Sequence, residues 1–226
     1  LLTTQGSYPV NDQILQAVPE DIGVTYYDGG RTYNPFHTPM IYPLMEQFAR
    51  SGRWLGVYPT LIGCWRMAFP WTGPQFIQFR MAEFANKGLS NVAGYAPCYQ
   101  FYLFNIAATA EWSWNHNGRS PREFARAYAY ATGIQGEAAE LYAQWAEKIG
   151  PIGWDLAGTT MFLRLSYDPS FGLDQGKLFG TRVDNRPEVL DAQQIERDLA
   201  EARDALILAH RLGLPDAVDE TIFDIA

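Results

Sequence analysis

The sequence predicts an α/β protein built on parallel strands, and three observations predict it. Short β-branched and aromatic runs alternate with amphipathic runs in a β-α-β-α-β-α-β-α order through the first half of the chain. The joins from helix to strand are short and those from strand to helix are long, as parallel strands with right-handed helical crossovers require. A polar or aromatic residue stands at the end of each strand: Gln5, Asp28, Tyr58 and Tyr95. An open doubly wound sheet and half of a (β/α)8 barrel both fit this order. The strand ends favour the half barrel, whose working groups come from strand C-terminal ends and the loops after them. Asp28-Gly29-Gly30 lacks the GxGxxG spacing and no GxxxxGK[ST] occurs, so a nucleotide fold is disfavoured.

Leu1 to Thr4 reads as the first strand, ended by Gln5-Gly6-Ser7-Tyr8-Pro9, and Asn11 is placed to cap a short helix from Asp12 to Val18. Val24 to Asp28 is the second strand. Alternation puts Val24, Tyr26 and Asp28 on one face and Thr25 and Tyr27 on the other. A helix from about Met40 to Arg50 carries Ile41, Leu44, Met45 and Phe48 at three-to-four spacing, and Ser51-Gly52 stops it. Trp54 to Tyr58 is the third strand. Pro74 opens a helix with Phe76, Ile77, Phe79, Arg80, Met81 and Phe84 on a broad apolar side, closed by Lys87-Gly88. Asn91 to Tyr95 is the fourth strand, and a helix runs from about Tyr99 through Trp114.

Beyond Asn115 the texture becomes helical. Ser120-Pro121-Arg122-Glu123 reads as an N-cap, a proline at the first helical position and a glutamate three residues after the cap. That helix ends near Thr132-Gly133. A second runs from Glu137 to Ile149 and ends at Gly150-Pro151. Trp154 to Leu165 fits no one class, and Ser166 to Arg186 reads as loop. Pro187 to Leu212 is a long helix with Ile195, Leu199, Ala202, Leu206 and Ala209 as its apolar stripe. The predicted division is residues 1–117 as half a barrel and 118–226 as an α-helical domain. There is no internal repeat.

At 226 residues, 47% hydrophobic and 15% aromatic, the chain can bury a large core. A formal charge of −8 argues against a nucleic-acid backbone as partner. No apolar run approaches the roughly 18 residues needed to span a bilayer, and nothing at the start resembles a signal peptide, so a soluble protein is expected, its compartment unassigned and a secreted or periplasmic one left open. The chain begins at Leu1 inside a strand, from which a longer parent chain is expected. Cys64 and Cys98 lie outside any CxxC and the three histidines have no ligand spacing, so no metal site is predicted. The two cysteines are either free buried thiols or a disulfide.

Three segments, Tyr26-Tyr27-Asp28-Gly29-Gly30-Arg31-Thr32-Tyr33, Gly94-Tyr95-Ala96-Pro97 and Ala110-Glu111-Trp112-Ser113-Trp114-Asn115, together resemble the second half of a catalytic barrel. The similarity is to β-hexosaminidase-like glycoside hydrolases and their α-glucuronidase and O-GlcNAcase-like relatives, over roughly residues 1 to 130. In those enzymes the last barrel helix often carries a Trp-Asn pair and a helical domain follows. Their acid pair stands at the end of the fourth strand, and the substrate's own acetamido oxygen commonly acts as nucleophile. The resemblance therefore implies that this chain supplies strands five to eight and substrate contacts. The acid pair would belong to a missing N-terminal half, as a second chain or a lost segment.

Glycosidases need two carboxyl groups flanking the scissile bond, about 5 to 10 Å apart. Asp28 is the strand-end acid here and is either one of them or a grip on sugar hydroxyls. Arg31 orients Asp28, holds a substrate carboxylate or sulfate through its planar fork, or makes a plain surface ion pair. Tyr26, Tyr33, Tyr58, Trp65, Tyr95 and Tyr99 are candidate ring platforms or core residues, with Arg66 beside Trp65. Gln5 and Asn34 are hydroxyl binders or turn residues. Glu111 lies about twelve residues into its helix, roughly 18 Å down the axis, away from the strand ends. Trp112, Trp114 and Asn115 read as packing the helical domain and ending the helix, and Asp155 and Asp168 as cap or turn residues by default, with reach to the mouth of the site as the alternative for either.

The expected activity is exo-acting hydrolysis of an N-acetylhexosaminide or uronic-acid glycoside, with no cofactor. The rivals are a non-catalytic carbohydrate-binding or scaffold subunit, and a barrel lyase or isomerase, for which no metal ligands or Schiff-base lysine are visible at the strand ends.

Overall fold

The computed structural model describes residues 2–3, 8–27, 37, 39–59, 70–94, 99–158, 177–178, 181–182 and 192–226. Four parallel strands, β1 (Leu2–Thr3), β2 (Val24–Tyr27), β3 (Leu55–Val57) and β4 (Asn91–Val92), form one sheet in the order β1-β2-β3-β4. Tyr26 pairs with Leu2 on one side and Val57 on the other, and Val57 with Val92. The expected mixture of parallel strands and crossover helices is present. Between these strands run α1 (Tyr8–Ala17), α2 (Pro43–Arg50) and α3 (Pro74–Asn86). Because each joins parallel neighbours, each begins at the edge where the preceding strand ends.

Helix starts follow the prolines more closely than the sequence reading did. Pro9 lies in the first turn of α1, which begins three residues before Asn11, so Asn11 is a buried helix residue and no cap. Likewise α2 starts at Pro43 and leaves Met40 and Ile41 as buried residues ahead of it. Both α2 and α3 stop at glycines in the left-handed region, Gly52 at φ 84° and Gly88 at φ 77°.

One core cluster runs from Leu15 to Ala217, across the boundary near Asn117. A 3-10 turn (Tyr99–Phe101) leads into α4 (Leu103–Trp114), then α5 (Pro121–Ala131), α6 (Glu137–Gly158), α7 (Ala192–Leu212) and α8 (Pro215–Ile225), with a two-residue ladder between β5 (Lys177–Leu178) and β6 (Thr181–Arg182). The capping box forms as expected: Glu123 N donates to Ser120 Oγ at 3.3 Å, and Ser120 N to Glu123 Oε2 at 2.8 Å. Buried alanines line the facing helices: Ala125 and Ala129 on α5, Ala139, Ala143 and Ala146 on α6, Ala202, Ala205 and Ala209 on α7. Such short side chains let helix axes approach closely. The seam of α7 is thus rotated from the predicted stripe, and Ile195 is 46% exposed.

Gly150-Pro151 does not end the helix: α6 continues through it to Gly158. Proline at 151 removes the donor that would reach the Glu147 carbonyl four residues back. Gln75 Nε2, in the first turn of α3, donates to that carbonyl instead at 3.1 Å. The contact is close enough that a Cβ on Gly150 would run into the Gln75 amide and come within 3.1 Å of Pro74 Cδ.

The same end of α3 is held by α4 and α8. Gly73, its N-cap residue, has no side chain to offer, and Gly73 N donates to Asn105 Oδ1 at 3.0 Å. Thr72 N and Oγ1 donate to the Glu220 carboxylate at 2.5 and 3.0 Å. A buried anion is well placed there, beside the partial positive charge of a helix N-terminus. At the other end of α3, Glu83 accepts from Ile41 N at 2.8 Å and pairs with Arg80 at 2.9 Å and Lys87 at 3.1 Å.

Two substitutions test these contacts. Gly150→Ala is expected to displace the Gln75 amide from the Glu147 carbonyl and so to cancel the roughly 1 kcal/mol that alanine gains over glycine inside a helix; a raised urea midpoint would contradict the close approach. Glu220→Ala strands the Thr72 donors and is expected to cost about 2–4 kcal/mol in the same titration; a loss within the scatter of surface substitutions would contradict the anchor.

Candidate functional site at the strand C-terminal edge

The two faces of the sheet differ. Val24, Tyr26, Leu55 and Val57 are buried on the helix side, where the Tyr26 ring meets Tyr42 edge-on at 6.3 Å. Tyr42 Oη donates to Asp12 Oδ1 at 3.0 Å, tying the N-terminal end of α2 to α1. On the other face lie Thr25, Tyr27, Gly56 and Tyr58. Trp54, 43% exposed, lies along this face, and a Cβ built on Gly56 would come within 2.7 Å of its ring. Only glycine leaves room for that overlay. The structure therefore corrects the role given to Tyr26, which has no exposed surface and fills the core. Its neighbour Tyr27 carries the half-buried ring of β2 instead.

Tyr58 follows β3 and stays in register, its N–H donating to Tyr26 O at 2.9 Å. Strand pairing thus sets Tyr27 and Tyr58 side by side at the C-terminal edge, their ring centroids 5.5 Å apart and the planes tilted by 46°. Both are half-buried, which leaves ring surface for a ligand. Asp28 is the next residue after Tyr27.

Asp28 itself lies outside the described residues, as do Gln5, Arg31, Tyr33, Asn34, Trp65, Arg66, Tyr95, Cys64, Cys98 and Asp168. Tyr99 opens the 3-10 turn after β4, and its side chain is likewise outside them. Of the predicted site residues, Tyr58 is the one the described structure sets at an accessible strand edge.

A pair that the sequence reading missed comes together on the same side. His37, from the connection between β2 and α2, sets Nε2 3.1 Å from Asp155 Oδ1 on α6, and its ring stands edge-on to Trp154 at 4.0 Å. Trp154 in turn packs on Phe76 and Phe79 of α3, at 5.8 and 5.4 Å. Asp155, expected by default as a cap or turn residue, is inside a helix and reaches the β2 connection, closer to the alternative of a residue directed at the mouth. Gln194 Nε2 on α7 approaches Asp155 Oδ2 at 3.4 Å. The side chains of His37 and Asp155 are 40% and 16% exposed. A carboxylate that orients an imidazole is the arrangement used to position a general acid or base. It also clamps the β2 connection to the helices. No local motif joins residues so distant in sequence, so the pair was not legible there.

The Ala110–Asn115 motif has a packing role in part. Trp112 is fully buried, donates from Nε1 to Arg119 O at 3.0 Å and lies 5.0 Å from Phe124. Glu111 makes two 3.0 Å bonds to Arg119 Nη1, as a residue away from the strand ends would. Trp114, expected to pack the helical region, is 92% exposed. No helix among the described residues is long and apolar enough to cross a membrane.

Comparison of the chain with protein-family models, with curated proteins and with solved structures finds no match.

Proposed function

We propose that this chain is the strand-five-to-eight half of a (β/α)8 glycoside hydrolase, and that it furnishes the sugar-binding wall at the C-terminal edge of the sheet. The observation that carries the reading is the Tyr27–Tyr58 ring pair, set on the face turned away from the helices and adjoining Asp28 in the chain. Pyranose rings bind by laying apolar C–H faces on aromatic side chains while acids and amides take their hydroxyls. Sequential strand order also supports it, since a doubly wound sheet reverses order at its ligand crevice and a barrel does not. The face with Tyr27, Tyr58 and Trp54 would turn toward the missing strands, because parallel sheets are ordinarily covered on both faces.

In this reading Tyr27 and Tyr58 form the platform, and Asp28 grips hydroxyls or acts as one of the acid pair. His37, oriented by Asp155, stands where it can exchange a proton or hold a hydroxyl. The main acid pair would come from the N-terminal half, and the sugar would be an N-acetylhexosamine or uronic acid at a chain end.

The test uses 4-nitrophenyl glycosides with the chain alone and with the chain extended upstream of Leu1. Turnover by the extended protein is expected. Tyr58→Ala should raise KM by about tenfold, the loss of one ring contact of about 1.4 kcal/mol, and should leave kcat within a few-fold. Binding of glycosides without turnover by either form would support a non-catalytic carbohydrate-binding subunit, and neither binding nor turnover would overturn the reading.

A further inference from the structure

The region between α5, α6 and α8 forms an open-mouthed cavity of about 310 Å³ that has no role in the reading above. Its walls are aromatic: Phe101, Phe104, Tyr128, Tyr142 and Trp145 all line it. Four of them form one connected cluster, with Phe104 5.0 Å from Tyr128, Tyr128 stacked on Tyr142 at 6.3 Å and Tyr142 5.4 Å from Trp145. Trp145 Nε1 is spent on Thr221 Oγ1 at 2.9 Å, which fixes the indole. The rings are therefore held in place before any ligand arrives.

The charge in this cavity has one sign. Asp216 and Glu220 both line it, and none of the described lining residues is Lys, Arg or His. Glu220 is committed to the start of α3, whereas Asp216 is exposed at the rim. Tyr142 is only 8% exposed. Burial, and the nearby Tyr128, Glu220 and Asp216, push its phenol well above the usual range. It stays a neutral hydroxyl. With both Glu220 oxygens taken by Thr72, Asp216 is the acid left to face a ligand, and an anion would be repelled.

Aromatic faces attract cations through their quadrupole, more strongly where water is excluded. From the ring-lined cavity and its acidic rim we infer that this pocket binds a compact organic ammonium ion, its alkyl groups against Tyr128, Tyr142 and Trp145 and its charge facing Asp216. The site is separate from the strand edge and does not rest on the sugar-binding reading. Its volume admits a small ligand, at the lower end of the usual range for such sites.

The test is calorimetric titration of the whole chain with choline and with its uncharged isostere 3,3-dimethylbutan-1-ol, which fills the same space. Choline is expected to bind at least about threefold more tightly, the size of a cation–π preference at a partly open site. Asp216→Asn is expected to weaken choline several-fold without changing the alcohol. Thr132→Lys, which sets a fixed ammonium at the rim, should abolish choline binding, with circular dichroism melting confirming that both variants fold. Equal binding of the two compounds, or no choline binding by folded wild type, would overturn the inference.

Discussion

The structure depends on how the first turn of α3 is closed. The N–H groups at a helix N-terminus have no partner within the helix; in α3 Pro74 has none to satisfy, Asn105 of α4 takes that of the N-cap Gly73, and Glu220 of α8 takes that of Thr72 just before it. Gln75, one residue inside the helix, closes the contact to α6 through the carbonyl that Pro151 frees. A segment that follows β3 is thereby fastened to elements from the far end of the chain. The capping carboxylate comes from α8, the final helix, so the N-terminal sheet and the C-terminal helices complete each other.

This fastening has a geometric consequence. The N-terminal end of α3 lies at the edge where β3 ends, so whatever docks there is brought to the C-terminal side of the sheet. The aromatic cavity, which includes Thr72 and Glu220 in its wall, is on that side for this reason. Asp155 is delivered there by the same helix, since α6 runs past Pro74 at Gly150 and reaches His37 a turn and a half later. Helices α5 to α7 carry buried alanines among the larger residues of their inner faces, which lets them pack closely.

Much of the fold was legible because its signals are local. Period-two and three-to-four spacing located the strands and the first helices, and the Ser120–Glu123 box fixed the start of α5 by its own chemistry. The errors share a cause: a tertiary partner changed the meaning of a local signal. Gly150-Pro151 reads as a stop in isolation and becomes a docking notch once Gln75 supplies the missing donor. Tyr26 and Tyr27 alternate as expected, yet which face meets the helices depends on α1 and α2, and that face took Tyr26. On α7 the predicted stripe held at Ala202 and Ala209, whereas packing against neighbouring helices added Ala205 and Leu208 and left Ile195 exposed. The site was legible at Tyr58, a strand-end ring, but the His37–Asp155 pair and the ring-lined cavity are assembled across the whole chain and leave no trace in spacing.

If α3 joins sheet and helices into one cooperative unit, their protection against exchange with solvent must be coupled. Native-state hydrogen exchange of wild type and Glu220→Ala measures this directly: removing the carboxylate is predicted to lower the opening free energy of β2, β3, α3, α6 and α8 by the same amount. Loss of protection confined to α8 and the first turn of α3, with the sheet unaffected, would show that the two regions fold independently and would contradict it.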